Sequence, residues 1–333
     1  MAMKKFINQP ENLVSELLEG FILANSEIVK LAGERLVARV HTKEDSKVGV
    51  VTMGGAGHEP ALIGWVGKGL VDVCALGDIF AAPGAPRVLE AIKLADRGKG
   101  VVLLTFNHEG DVLSSNMVIQ MAKRQGIKMQ RVLVSDDVSA APRSDPDNRR
   151  GLIGTLMAIK IAGAASEIGH SFEEVVELAE RMANNVATLA VAVSPATHPA
   201  TGNPFFLLPD DEMEIGMGQH GEAGVGRMKL KTADETADIM LNQLLKDLDV
   251  KSGERLIVFL NGSGATTQME LLIIFRKINL ILEEKGIKVA AARIGEMLTT
   301  QEQGGFQMSI GRVDPELERL FKAPCYAPEF KTM

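Results

Sequence analysis

Residues 48–60 read VGVVTMGGAGHEP, an apolar run that ends directly in a glycine-rich loop. The same arrangement recurs at VDVCAL, from residue 71, and at VVLLTF, residues 101–106. Amphipathic segments around Pro86–Asp96 and Val112–Gln125 are typical of helices. Continuous apolar strands that alternate with amphipathic helices indicate a largely parallel sheet covered by helices on both faces. We therefore predict an α/β fold for this half of the chain.

The second half predicts another α/β arrangement, smaller and more mixed. Its elements include a strand at 255–261, a helix at Gln268–Glu284, and strands near 287–294 and 305–311. Between the halves, ATLAVAVSPATHPATGNP changes from apolar residues to Pro, Thr and Gly. We predict an N-terminal α/β domain at residues 1–189 and a C-terminal α/β domain at residues 190–333.

The chain is predicted to open with an amphipathic helix. From Leu13, the apolar residues Leu17, Phe21, Ile28 and Leu31 fall at helical spacing.

Composition excludes several classes of function. The 333 residues carry a formal net charge of −7 and only 4% aromatic side chains, which argues against binding to nucleic acid. Cys74 and Cys325 belong to no CxxC pair, so reduced thiols are expected. No apolar stretch has the form of a signal peptide or the length of a membrane span. A cytoplasmic protein is expected.

The loop GGAGHEP at 54–60 brings backbone N–H groups towards a ligand, since glycine allows a close approach. This favours an oxygen-rich small molecule. The loop fails as a dinucleotide fingerprint because no third glycine stands at the required place. It also fails as a zinc-protease signature, because no second histidine follows His58 one turn later. The alternative is an ordinary turn in which His58 caps a neighbouring group.

A carboxylate follows the apolar strand at 101–106. Asp111, in NHEGD, is interpreted either as the N-cap of the next helix or as a base at the strand end, and the two roles are compatible. His58, Asp78 and Asp111 all follow predicted strands. The carboxyl edge of a parallel sheet is where ligands bind, so one edge could hold all three.

The third unusual loop is MGQHGEAGVG at 217–226, where glycines flank His220. Such flexibility costs entropy unless the backbone approaches a ligand or presents the imidazole. The alternative is a surface or structural histidine. His108 is ambiguous, and the other histidines lack the glycine context: His41, His170 and His198. The loop NGSGATT at 261–267 lacks the lysine of a phosphate loop and is interpreted first as a turn and N-cap.

Taken together, these motifs resemble the dihydroxyacetone kinase family, specifically its K subunit, along nearly the whole chain. The matching stretches are GGAGHEPALIGWVG, GDIFAAP, the GDV of NHEGDV, RRG with the later GAASEIG, EMEIGMGQHGEAG, NGSGATTQMEL and TTQEQGGFQMSI. The resemblance implies two α/β domains, a homodimer, and a ketose held as a hemiaminal on His220. It implies that His58 and Asp111 handle protons and bind substrate hydroxyls. The backbone of Gly55, Ala56 and Gly57 would contact the substrate.

The resemblance also implies a partner. This chain is expected to bind no cofactor or metal of its own, and a helical L subunit would bring ADP or ATP with magnesium. In many relatives a phosphotransferase-system protein recharges that subunit.

Two positions depart from the family pattern. Relatives carry a lysine that touches the substrate at the place of Phe106, and a serine or threonine near Ala82, so both polar contacts are missing. Because Phe106 ends a continuous apolar strand, we expect its ring to lie beside the substrate at the strand end. Three functions follow: a dihydroxyacetone-type kinase subunit, a ketose-sensing coactivator, or an erythrulose kinase subunit that the apolar Phe106 favours. Retention of His58 and Asp111 favours catalysis, because sensing needs no acid and base.

Overall fold

Each of two six-stranded sheets forms the centre of its own structural unit in a computed structural model that describes residues 5–41 and 46–332. The first, which we call the glycine-loop unit, contains the described residues of Phe6–Val134, Thr155–Ala183 and 319–332. The second, the His220 unit, contains Lys5, Ser135–Gly154 and Asn184–Glu318. Both are mixtures of helix and strand, so the predicted α/β class is confirmed.

The sheet of the glycine-loop unit has a parallel centre. Its strands are β1 (Val29–Gly33), β2 (Leu36–Arg39), β3 (Gly49–Ala56), β4 (Val73–Ile79), β5 (Val101–Phe106) and β6 (Met129–Val134). They follow the order β1-β2-β4-β3-β5-β6, and β4, β3, β5 and β6 are parallel, whereas β1 and β2 form an antiparallel edge. The carboxyl ends of β3, β4 and β5 therefore meet at one edge.

Helices cover both faces of this sheet. They are α1 (Leu13–Ala24), α2 (Ala85–Ala95), α3 (Glu109–Arg124), α4 (Thr155–Ile168) and α5 (Phe172–Ala183). α2 and α3 pack on one face, where Val88 and Val118 meet Leu103 in a common core. α4 is buried along most of its length, and at Gly163 an added Cβ would lie 2.4 Å from the Cα of Leu70. Small residues in α4 are thus required by close packing.

The His220 unit has a mixed sheet. Its strands are β7 (Val186–Ser194), β8 (Glu212–Ile215), β9 (Gly226–Lys229), β10 (Arg255–Gly262), β11 (Lys288–Gly295) and β12 (Gly304–Val313). Their order is β11-β10-β12-β7-β8-β9, in which only the β10–β11 pair is parallel. Two helices, α6 (Ala233–Asp247) and α7 (Gln268–Glu284), pack on one face. The chain then continues into α8 (Pro315–Lys322) and the hairpin of β13 (Cys325–Tyr326) and β14 (Lys331–Thr332).

Several predicted elements lie where expected, and some do not. The bounds of β5 and α7 match the prediction, and Thr267 caps α7 in a reciprocal pair with Glu270, as predicted for NGSGATT. The opening helix ends at Ala24, so its extension to Ile28 and Leu31 was wrong: Leu31 lies in β1.

The structure divides the chain differently from the predicted boundary between residues 189 and 190. That point falls inside β7, a central strand of the second sheet. The units are also interleaved, because residues 135–154 belong with the second sheet and residues 155–183 with the first. His58 and Asp111 lie in one unit and His220 in the other, as the prediction assigned them.

Among the described residues, no helix combines the length and apolar character needed to cross a membrane.

Candidate functional site

The glycine loop at the end of β3 leaves no room for a side chain at Gly55 or Gly57. β3 extends to Ala56, and a Cβ added at Gly55 would lie 2.7 Å from the backbone nitrogen of Ala81. Gly57 has φ of +98°, and its added Cβ would lie 2.7 Å from the ring of Phe80. Glycine is thus required by both conformation and space at Gly57.

Glu59 and Phe80 hold this loop from two sides. Both carboxylate oxygens of Glu59 accept from the Gly57 N–H, at 3.0 and 3.1 Å. Burial raises the pKa of Glu59, although the hydrogen bonds from its own N–H and that of Gly57 oppose this effect. The imidazole of His58 is buried and meets the Phe80 ring edge-on, with 5.0 Å between centroids. Sequence reasoning missed both neighbours, although Glu59 stands beside the predicted histidine.

Asp111 lies in the first turn of α3, and His108 is the N-cap. The interpretation of Asp111 as the N-cap was therefore wrong. Its side chain is buried, and within residues 5–41 and 46–332 no group donates a hydrogen bond to Oδ1. Burial raises the pKa of Asp111 to about 7. A carboxylate whose pKa lies close to neutral pH is suited to general-base catalysis.

His58 and Asp111 follow neighbouring parallel strands, β3 and β5, at their carboxyl ends. The loop after β4 approaches both segments: Phe80 packs on His58, and the Cβ of Ala82 would lie 3.2 Å from a Cβ added at Gly110. Asp78 does not join them as predicted, since it lies within β4, is largely exposed and pairs with Arg35 at 2.7 Å.

Phe106 is the last residue of β5, and its side chain is 4% exposed. Strand alternation places it on the same face as Leu104 and opposite to Leu103, which belongs to the core under α2 and α3. The Phe106 ring therefore lies inside the protein at the end of β5. Whether it also borders a substrate stays a prediction.

The His220 loop, which we define as residues 216–224, is closed by its own hydrogen bonds. Gly218 N–H donates to the Glu222 carbonyl at 2.8 Å, and Gly221 N–H donates to the Gly218 carbonyl at 3.3 Å. Gly216 and Gly221 have φ of +80° and +84°. The flanking glycines therefore serve a tight turn that leaves the His220 side chain partly exposed.

Glu222 contacts His220 twice. Its Oε2 accepts from the His220 backbone N–H at 2.9 Å, and its Oε1 lies 3.2 Å from Nδ1. Burial alone would raise the pKa of Glu222, but the hydrogen bond and charge of His220, with backbone N–H groups, lower it. A carboxylate at Nδ1 favours the ring proton on that nitrogen, which leaves the lone pair of a neutral ring on Nε2. Sequence reasoning missed this role. An acid two residues after a glycine-flanked histidine is the signal.

These features describe a class: a two-unit α/β protein with a glycine loop at the carboxyl edge of a parallel sheet, a buried carboxylate, and an imidazole held by a glutamate. The sequence also matches the family model of the Dak1 domain over residues 19–329. The chain belongs to the dihydroxyacetone kinase family, with likeness to its dihydroxyacetone-binding subunits.

Three comparisons show the range of that family. The chain is 36% identical to the dihydroxyacetone-binding subunit of PTS-dependent dihydroxyacetone kinase 1 of Listeria innocua, covering 94% of this chain and 95% of the relative. It is 36% identical to L-erythrulose kinase of Pectobacterium atrosepticum, covering 99% of this chain and 56% of that longer protein. A solved dihydroxyacetone kinase operon co-activator has a TM-score of 0.90 at 29% identity, with 95% and 98% coverage.

Proposed function

We propose that this chain is the ketose-binding subunit of a dihydroxyacetone-type kinase, in which a partner protein delivers the phosphoryl group. The observation that carries the proposal is Asp111, a buried carboxylate with a pKa of about 7 and no donor to Oδ1 in the described residues. Burying such a group costs stability, and a ligand sensor gains nothing from it. A base that accepts a proton from a substrate hydroxyl needs this property.

His220 is proposed to capture the ketose covalently. The Nε2 lone pair attacks the carbonyl carbon, a C–N bond forms, and the π pair moves to the oxygen, which takes a proton from solvent. The Nδ1 proton becomes more acidic and is shared with or passed to Glu222, so the net reaction adds N–H across C=O. An imidazole does not attack an alcohol. This step therefore admits ketoses and rejects glycerol, a discrimination that hydrogen bonds alone supply poorly.

The remaining site residues are proposed to prepare the substrate for phosphoryl transfer. The backbone of Gly55, Ala56 and Gly57 would contact the ketose, and His58 and Asp111 would bind its hydroxyls. Fixing the ketose in one orientation lowers the entropic part of the barrier. Asp111 then takes the proton of the hydroxyl that attacks the phosphorus.

The nucleotide is proposed to come with a helical L subunit carrying ADP or ATP and magnesium. The Listeria relative is a PTS-dependent dihydroxyacetone kinase subunit, and this supports a phosphotransferase-system donor. In this chain, Thr267 and Glu270 cap the N-terminus of α7. Glu270 therefore places an acid where a phosphate-binding loop has cationic groups. A homodimer and a cytoplasmic location complete the proposal.

Intact-mass measurement tests the capture step. Protein incubated with dihydroxyacetone is expected to gain the full mass of the ketose, because a hemiaminal keeps the carbonyl oxygen. A Schiff base on lysine would be lighter by one water. Glycerol is the matched control and should add nothing. An adduct that persists in His220→Ala would contradict the assignment.

Turnover then separates a kinase from a coactivator. The chain with ATP alone should not phosphorylate dihydroxyacetone, and addition of the helical subunit should produce turnover. Adduct formation without turnover in the complete system would favour the coactivator function suggested by the similar solved structure.

The apolar ring of Phe106, in place of a lysine, supports a second candidate substrate, a four-carbon ketose. The similarity of the chain to L-erythrulose kinase supports the same candidate. Wild type is expected to accept erythrulose relatively better than dihydroxyacetone. Phe106→Lys should strengthen dihydroxyacetone binding by about 1.5–3 kcal/mol, the value of a hydrogen bond to a charged group. Calorimetric titration of both sugars measures this.

Phe106→Leu is the control for this prediction, because it changes size without adding a charge. A folded Phe106→Lys variant with unchanged affinity and unchanged sugar preference would show that the ring is only part of the core.

A further inference from the structure

The guanidinium of Arg150 lies at the base of the His220 loop. Its Nη2 donates to the Gly216 carbonyl at 2.7 Å and to Ser139 Oγ at 3.1 Å. Its Nε donates to Asp137 Oδ2 at 2.7 Å. The side chain is only 17% exposed, and Asp137 is buried. Arg150 is therefore held in one orientation by contacts on two of its nitrogens, Nε and Nη2.

The same guanidinium approaches Glu222. A Cβ added at Gly218 would lie 2.5 Å from Arg150 Nη1 and 2.1 Å from Glu222 Oε2. Two atoms this near to one point are within about 5 Å of each other, a distance at which opposite charges attract appreciably. Asp137, Arg150, Glu222 and His220 thus form a row in which each charged group neighbours one of opposite sign or a ring N–H. All four residues belong to the His220 unit.

We propose that Arg150 is a positioning residue for His220, and the proposal rests on the capture function given above. By attracting Oε2, Arg150 turns the Glu222 carboxylate so that Oε1 faces Nδ1. By binding the Gly216 carbonyl, it also fixes the start of the loop. The result is a His220 ring held in the Nδ1–H tautomer, with its lone pair on Nε2.

Two substitutions separate charge from packing. Arg150→Gln removes the charge, whereas Arg150→Lys keeps it without the forked geometry. Arg149→Lys is the matched control: Arg149 is the adjacent residue, it is buried, and it pairs with Asp247. Gly218→Ala is a second route to the same effect, because the new methyl group would occupy the space of Glu222 Oε2 and push that carboxylate away.

The first readout needs no ketose. In ¹⁵N NMR spectra of the imidazole, Arg150→Gln and Gly218→Ala are expected to lower the fraction of the Nδ1–H tautomer of His220, and Arg149→Lys is expected to leave it unchanged. An unchanged tautomer in a folded Arg150→Gln variant would overturn the proposal and leave Arg150 with a purely structural role.

The second readout is the rate of adduct formation with dihydroxyacetone followed by mass. Loss of an outer partner that orients an imidazole typically costs about 10- to 100-fold, and we expect that loss in Arg150→Gln, with a smaller loss in Arg150→Lys. If wild type forms no adduct, the capture function fails while the tautomer experiment still decides the role of Arg150. Equal rates in wild type and Arg150→Gln would contradict the positioning role.

Discussion

Asp111→Asn is expected to raise the stability of the protein at pH 8 while it abolishes most of its turnover. The pKa of Asp111 is raised by burial to about 7 from an ordinary value of 3.8. A shift of this size corresponds to roughly 2–4 kcal/mol of destabilisation once the group must ionise. Asparagine has nearly the same shape and carries no charge. The loss of a general base should lower turnover by about 10²–10⁴-fold.

The pH dependence of the free energy of unfolding gives the direction of the expected stability change. Below about pH 4, Asp111 is protonated in both the folded and the unfolded chain, and its burial is not penalised. As the pH rises from 4 through 7, the unfolded chain ionises first, so the folded state loses stability. The wild-type free energy of unfolding should therefore fall over this range more steeply than that of Asp111→Asn.

Denaturant titrations at pH 5, 6, 7 and 8 measure the difference between the two proteins. Asp78→Asn is the control, since Asp78 lies in β4, is largely exposed and is paired with Arg35. Parallel stability curves for wild type and Asp111→Asn would show that the carboxylate is not desolvated. If Asp111→Asn gained stability and kept full turnover, Asp111 would not be the general base.

Sequence patterns predicted the parts of the fold that depend on local periodicity. α7 and β5 lie within unbroken apolar patterns, and their ends carry local signals such as the Thr267 cap. β1 was missed because Ile28 and Leu31 continue the helical spacing of α1, although the chain turns at Asn25 and pairs with β2. An edge strand of five residues is decided by its partner, which periodicity does not reveal.

The same distinction explains what was predicted of the candidate site. His58 and His220 stand in glycine-rich loops and Asp111 follows a strand end, and both patterns are visible in the sequence. The roles of Glu222 and Arg150 depend on distances between side chains. Arg150 reaches the His220 loop across 66 positions in the chain, and no local pattern encodes that contact. Asp78 was wrongly grouped because Arg35, a distant residue in sequence, holds it instead.

Asp136→Ala is expected to be the most destabilising single substitution in the segment that carries Arg150. Asp136 is completely buried and accepts from the N–H groups of Leu152, at 2.6 Å, and Gly154, at 2.9 Å. It also accepts from the hydroxyl of Thr188. Alanine would leave the two backbone N–H groups without acceptors, at about 1–3 kcal/mol each, and would remove one of the two acceptors beside the Thr188 hydroxyl, so we expect a net loss of about 3–5 kcal/mol at pH 5.

The loss should be smaller at pH 8, and this difference identifies its cause. Burial, the largest influence, raises the pKa of Asp136 to about 6, although the hydrogen bonds from Leu152, Thr188 and Gly154 oppose it. The stability that the protonated carboxyl contributes is present below about pH 4 and is lost as the pH rises through 6. Alanine has no such dependence, so the two stability curves should approach each other by about 1–2 kcal/mol between pH 5 and pH 8.

Thermal and denaturant unfolding of Asp136→Ala and of the control Asp145→Ala measure this effect. Asp145 lies on the same segment, and its carboxylate accepts from the Asn148 side chain near the surface. The control should lose less than about 1 kcal/mol, as is usual for surface substitutions. A similar small loss in Asp136→Ala would mean that residues 135–154 are not fixed by this carboxylate. Arg150 would then need another anchor to hold the His220 loop, and Asp137 is the residue that the structure offers.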